Sequence, residues 1–224
     1  MTTGRADDAV EDDLIEIDDG HEPDDLEDAD GAEYDDAEDD SEFDGDSEFD
    51  GGGDLDDADD DEIDFCVALY REDGEPAGVA LEPDLANDFE ELLSQLQRIP
   101  GDAGALGLVS LDSEVLIAVR VRGPRHVQVF VSDVYYVDTW PIVRDAVEFL
   151  GLDPASDDLP EDGPIGDLNM FADLGLSEMD VEAACLDDDD VTSEDLAARI
   201  AKAARSEAVF RQAVDDYWDV EDEE

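Results

Sequence analysis

Two histidines, two cysteines and 72 acidic side chains are the groups in this 224-residue chain that chemistry could use. Their spacing gives them little to do. His21 lies in a polar, acid-rich stretch and His126 beside a Gly123-Pro124 turn, and neither stands at a spacing that sets a nucleophile against its base. His126 reads as an ordinary strand-edge residue. Cys66 falls inside a predicted strand and Cys185 inside a predicted helix, where both read as buried free thiols. Carboxylates are so numerous that any two can be drawn as an acid–base couple, so pairs of them carry no information. Residues 46–57 come nearest to a metal site. Asp46, Glu48, Asp50, Gly51 and Asp57 occupy positions one, three, five, six and twelve of a calcium loop. The twelfth should be a bidentate glutamate and the third is usually Asp or Asn, and no amphipathic helix flanks the stretch. It reads as polyanion that condenses cations diffusely. No phosphate-cradling glycine loop occurs. The sequence therefore predicts no catalytic residue, no bound cofactor and no specific metal.

Charge is the dominant feature, at −61 overall. Residues 1–62 hold 32 acids against the single base Arg5, and residues 63–224 hold the remaining 40 acids with 10 bases. The first stretch is too poor in apolar residues to offset the entropy of ordering its backbone, and is expected to be a disordered acidic tail. Within it Ser41-Glu-Phe-Asp-Gly45 recurs as Ser47-Glu-Phe-Asp-Gly51, a low-complexity duplication. Arg120, Arg122 and Arg125, with His126 beside them, form the one basic concentration. Exposed arginines at a strand end that pair with surrounding carboxylates are the plain reading, each pair worth little. The functional alternative is an anion site or a dock for the acidic tail. Three arginines against this background make no phosphate-binding field, so direct binding of nucleic acid or of an anionic membrane is not expected. The N-terminus is acidic where a signal peptide is basic, and no apolar run reaches spanning length, which points to a cytoplasmic protein.

The elements that must position these residues follow from periodicity. Ile63-Asp-Phe-Cys-Val-Ala-Leu-Tyr70 is apolar nearly throughout, as in a strand buried on both faces. Asp73-Gly74 signals a turn into a second strand at 78–81. Glu82-Pro-Asp84 then opens a helix to residue 98, lined by Leu85, Phe89, Leu92, Leu93 and Leu96 and stopped by Ile99-Pro-Gly101. Strands are predicted at 105–111, 114–121 and 127–131. After Ser132-Asp133 a helix begins at Trp140-Pro141, with Pro at a first-turn position where its missing N–H leaves no bond unmade. That helix is expected to bury Ile142, Val143, Ala146, Phe149 and Leu150, and to stop at Gly151. The order β-β-α-β-β-β-α predicts an α+β fold with an antiparallel five-stranded sheet, analogous to longin- and profilin-like platforms. The expected organisation is a tail over 1–62, a sheet domain over 63–153 and a proline-rich linker over 154–166. A C-terminal helical segment over 167–218, packing on the sheet, and an acidic end over 219–224 complete it.

Several segments carry a resemblance. Asp64-Phe-Cys-Val-Ala-Leu-Tyr70, Val131-Ser-Asp133, Trp140-Pro-Ile-Val-Arg144, Leu150-Gly-Leu-Asp153 and Gly166-Asp-Leu-Asn-Met-Phe-Ala-Asp-Leu-Gly175 together span residues 62–218. In these the chain resembles the actinobacterial tRNA adenosine deaminase-associated proteins. The zinc deaminase pattern itself, a His-x-Glu followed by Pro-Cys-x-x-Cys, is absent. The resemblance implies a non-catalytic accessory protein in tRNA modification, whose acidic surface meets a basic partner such as the deaminase. An acidic nucleic-acid mimic or chaperone-like module for basic proteins is the second reading, and an enzyme with an unrecognised site on the sheet the third. The expected interaction region gathers Arg120, Arg122, Arg125, His126, Ser132, Asp133, Trp140 and Pro141 around the 127–153 hinge.

Overall fold

A computed structural model describes residues 55–101, 104–123, 125–186 and 191–221. Their strands are β1 (Ile63–Glu72), β2 (Glu75–Ala80), β3 (Ala105–Leu111), β4 (Val115–Val121), β5 (Val127–Val131) and β6 (Ile165–Gly166). The helices are α1 (Phe89–Arg98), α2 (Pro141–Phe149), α3 (Glu178–Leu186), α4 (Ser193–Ala203) and α5 (Glu207–Glu221), with 3-10 turns at Pro83–Ala86, Val134–Asp138 and Leu168–Leu174. The sheet runs β2-β1-β3-β4-β5-β6, every neighbouring pair antiparallel.

Helices cover both faces of this sheet, which is why its middle strands are apolar at nearly every position. All of β3 is buried, and all of β4 except Arg120. On one face α1 lies so close that a Cβ built on Gly107 would stand 2.7 Å from Leu96 Cδ1. On the other, Phe65 of β1 meets Phe210 of α5 edge-on with ring centroids 5.4 Å apart. Phe130 of β5 meets Phe171 likewise at 5.8 Å. Each such ring removed from water is worth about 1.5–3 kcal/mol, and the buried residues of both faces form one continuous core.

Three expectations need correction. The sheet has six strands, not five, because Ile165–Gly166 pairs with Val131 and Phe130 inside the segment read as linker. Gly166 has φ +95, and a Cβ there would fall 2.3 Å from the Val129 carbonyl oxygen, so only glycine fits that close approach. The helix expected from residue 82 is divided. Asn87 Nδ2 donates to the Ala58 carbonyl at 3.0 Å while its Oδ1 accepts the Ala58 N–H at 2.8 Å. α1 starts afresh at Asp88, whose carboxylate accepts the Glu91 N–H. Finally, Phe149 is not core. It is 45% exposed at the end of α2 and rests tilted on Phe89, while Val147 takes the buried place.

Candidate functional site

Antiparallel register gathers several bases of the chain at one end of the sheet. Tyr70 pairs with Ala105, Ala105 with Val121, and Val121 with Val127, so Arg71, Arg122, Arg125 and His126 all belong to that end. The C-terminus of α4 arrives there too. Arg71 Nη2 donates to the Ala204 carbonyl at 2.9 Å, which brings Lys202 and Arg205 alongside. Arg98 closes α1 next to Ile99 and Gly101, which line the same end. Arg120 reaches across from β4. Its Nη1 donates to Asp173 Oδ1 at 2.7 Å and its Nη2 to Oδ2 at 2.8 Å, and Nη1 also meets the Met170 carbonyl. Arg122 Nη2 donates to the same Asp173 Oδ1 at 3.0 Å. Two guanidiniums on one carboxylate hold Asp173 well below the usual carboxylate range, the Arg120 hydrogen bonds being the largest cause. Arg125 and His126 are exposed and make no side-chain hydrogen bond or ion pair among the described residues. An open depression of about 900 Å³ adjoins the pair, lined by Leu96, Ile99, Gly101, Arg120, Arg122 and Asp173.

The opposite end is carboxylate throughout. Leu111 pairs with Val115, and Ile117 with Val131, so Asp112, Glu114 and Asp133 share it with Glu62 and Asp64. Asp64 is held by three bonds: Ser110 Oγ donates to Oδ2 at 2.7 Å, the Ser113 N–H to Oδ2 at 2.6 Å and Ser113 Oγ to Oδ1 at 3.1 Å. Ser110 Oγ also lies 2.7 Å from Ser193 Oγ, which ties the start of α4, with Glu194 and Asp195, to the same end. Burial first, and then Glu114, Asp64 and Glu62, raise the Asp112 carboxyl above its ordinary value. Burial and then Asp64 and Asp195 raise Glu194 in the same direction. Tyr136 donates to Glu114, and burial followed by that bond pushes its phenol upward. Arg144 on α2 donates to Asp138 at 2.7 Å.

The hinge residues are joints. Ser132 Oγ accepts the Leu116 N–H at 2.8 Å while the Ser132 N–H donates to the Leu116 carbonyl, which extends the β4–β5 ladder by one step. Asp133 Oδ1 accepts the Tyr135 N–H at 3.0 Å, starting the 3-10 turn, and the Gly163 N–H at 2.8 Å, pinning the returning chain. Trp140 is buried and precedes Pro141 at the first position of α2; its Nε1 has no hydrogen-bond partner among the described residues. The eight residues expected to form one region thus fall into two groups. Arg120, Arg122, Arg125 and His126 stand at the basic end, and Ser132 and Asp133 at the acidic end with Trp140 and Pro141 following from them.

Among the described residues no histidine meets a nucleophile, since His126 and the Ser110–Asp64–Ser193 network occupy opposite ends. Burial pushes both thiols up to about 12, Cys185 being raised further by Asp133 and Glu182, so neither is a nucleophile near neutrality. Among the described residues no cluster of three or more His, Cys, Asp or Glu side chains could hold a metal ion. Most of the calcium-like stretch 46–57 lies outside them. Asp173 is the partner that reading by composition missed, although its signal was present in the Gly166–Gly175 motif. Asp167 of that motif accepts the Val129 N–H at 3.3 Å, and Asp173 holds the two arginines.

Fold and site together define a mixed α/β protein whose antiparallel sheet separates a basic end from an acidic one. The chain belongs to the Rv3753c-like tRNA adenosine deaminase-associated protein family, whose model matches residues 64–206. The match takes in the sheet, the hinge and α4 but not residues 1–63 or any of α5. No curated protein and no solved structure matches. No helix among the described residues is long and apolar enough to cross a membrane.

Proposed function

We propose that this protein is a non-catalytic accessory of the tRNA adenosine deaminase, which it binds as a basic protein partner through its acidic end, in the cytoplasm and without itself binding nucleic acid or membrane. The observation that carries the reading is the charge polarity of the body. The carboxylates Asp112, Glu114, Asp133 and Glu194 gather at one end of the sheet, and Arg144 on α2 is already paired with Asp138. A protein that holds tRNA presents Lys and Arg to phosphates, and a surface of this sign and density steers such a protein into encounter. The hinge residues Ser132, Asp133, Trp140 and Pro141 set the shape of that end. The group Arg120, Arg122, Arg125 and His126 faces away from it, and Arg120 and Arg122 of that group serve internal neutralisation through Asp173. Titration of the purified deaminase into the full chain at low and at physiological ionic strength tests this. Saturable binding that weakens with salt is expected, and no binding at low salt overturns it.

The charge of residues 1–62 favours a second reading, a polyanion that engages basic proteins indiscriminately. Deleting those residues separates the two. An accessory with a contact on its folded body keeps most of its affinity for the deaminase, whereas a polyanion loses it and binds polylysine and deaminase alike.

A further inference from the structure

Helix α3 leaves two of its large apolar side chains more exposed than any other helix does among the described residues. Val181 and Ala184 are buried against the body, yet Met179 is 76% and Leu186 60% exposed. Met179, Ala183 and Leu186 fall at i, i+4 and i+7, so they form one outward ridge with a small residue between two large ones. The helix is held firmly enough to present it. Ser177 Oγ accepts the Asp180 N–H at 3.3 Å and Asp180 Oδ2 accepts the Ser177 N–H at 3.0 Å, a reciprocal cap. The ridge continues onto the hinge. A Cβ at Gly163 would lie 3.8 Å from Leu186 Cδ2, and Gly163 donates to Asp133 two residues before Tyr135, whose ring is 65% exposed. Everything charged along this strip is acidic: Glu178, Asp180 and Glu182 on the helix and Asp133 beside its end. Water-exposed methionine, leucine and tyrosine cost free energy unless something covers them, and a flexible Met is the residue that adapts to a covering surface.

We infer that this face of α3, with Tyr135 at its end, is a docking surface for a basic amphipathic helix. Leucine-type side chains of the partner pack around Ala183 between Met179 and Leu186, and its Lys and Arg meet Glu178, Asp180, Glu182 and Asp133. The inference names the contact surface for the accessory role proposed above and rests on that reading for the identity of the partner, but not for its chemistry.

Two probes separate these. One is a Leu/Lys peptide with leucine at i, i+3, i+4 and i+7, set against a scramble of identical composition. The full chain should bind the amphipathic peptide about tenfold more tightly than the scramble, a factor worth 1.4 kcal/mol. The double variant Met179→Gln, Leu186→Gln should lose that preference while keeping the salt-dependent binding common to both peptides. Glutamine keeps helix propensity at two exposed sites, and an unchanged melting curve shows the variant folded. Equal binding of peptide and scramble, or a preference the variant retains, overturns the inference. The second probe is the purified deaminase. If it binds wild type and variant equally, the surface is wrong and the accessory role stands. If it binds neither, the accessory role falls and the peptides still decide the surface.

Discussion

At the scale of single residues, the arginines illustrate how a functional-looking cluster is used up by the fold. Arg120 is apolar-facing for most of its length on an otherwise buried strand, and its guanidinium needs an acceptor. Asp173, 53 positions away, supplies it. Composition could show that acids abound, but not which acid the chain would return to this spot. Asp173→Asn removes the charge from a pair of guanidiniums and should destabilise the protein by about 1 kcal/mol, a value discounted because the carboxylate is half exposed. Its folded carboxyl is depressed, so its contribution is fully present above the ordinary carboxylate value of 3.8. It is lost as pH falls through the lower, folded value. Denaturant melts of wild type and Asp173→Asn should therefore converge as pH falls below the folded value. A gap that persists there means the side chain acts by packing instead. The thiols give a second expectation. With both pushed up to about 12, neither Cys66 nor Cys185 should react with a thiol reagent at pH 8 until denaturant opens the core.

Among the elements, those with period were legible and those made by a few hydrogen bonds were not. β1, β3, β4 and β5 announce themselves by continuous apolar runs, and α2 by Pro141 and its three- and four-residue spacing. β6 has two residues, too few for any period, and exists because Ile165 finds the open edge of β5 after Asp133 has caught Gly163. The split before α1 depends on Asn87 bonding a residue 29 positions earlier, which no local pattern records. Phe149 shows the limit of spacing itself: the i+3 and i+4 rule placed it inward, but α2 turns Val147 to the core instead. β6 can be tested alone. Gly166→Ala forces a Cβ to 2.3 Å from the Val129 oxygen at φ +95, so the strand should detach. The expected loss is about 2–3 kcal/mol, combining overpacking with left-handed strain. Amide exchange should rise at Val131, which pairs with Ile165, and remain slow at Val109 in the middle of the sheet. Equal stability of the variant contradicts the requirement for glycine.

For the molecule as a whole, net charge conceals a direction. A count of −61 treats the body as uniformly acidic, whereas the register sorts Arg71, Arg98, Arg122, Lys202 and Arg205 to one end and leaves the other to carboxylates. That sorting was not readable in the sequence, because it depends on which strand ends coincide and on α4 running the length of the sheet. It makes binding at the acidic end depend on pH in a definite way. Asp112 and Glu194 are raised chiefly by burial and further by their acidic neighbours, so folding works against their ionisation and the penalty disappears as they protonate. A basic partner reverses the sign. It favours the ionised forms, so it must release protons on binding wherever these groups are partly protonated. Among the described residues no histidine lies at this end, and Tyr136 and Cys185 are raised and stay neutral through the ordinary carboxylate range. Affinity for the purified deaminase should fall as the solution is acidified toward about pH 4. Calorimetry at about pH 5 in two buffers of different ionisation enthalpy should report net proton release. Proton uptake on binding would place the contact away from these carboxylates.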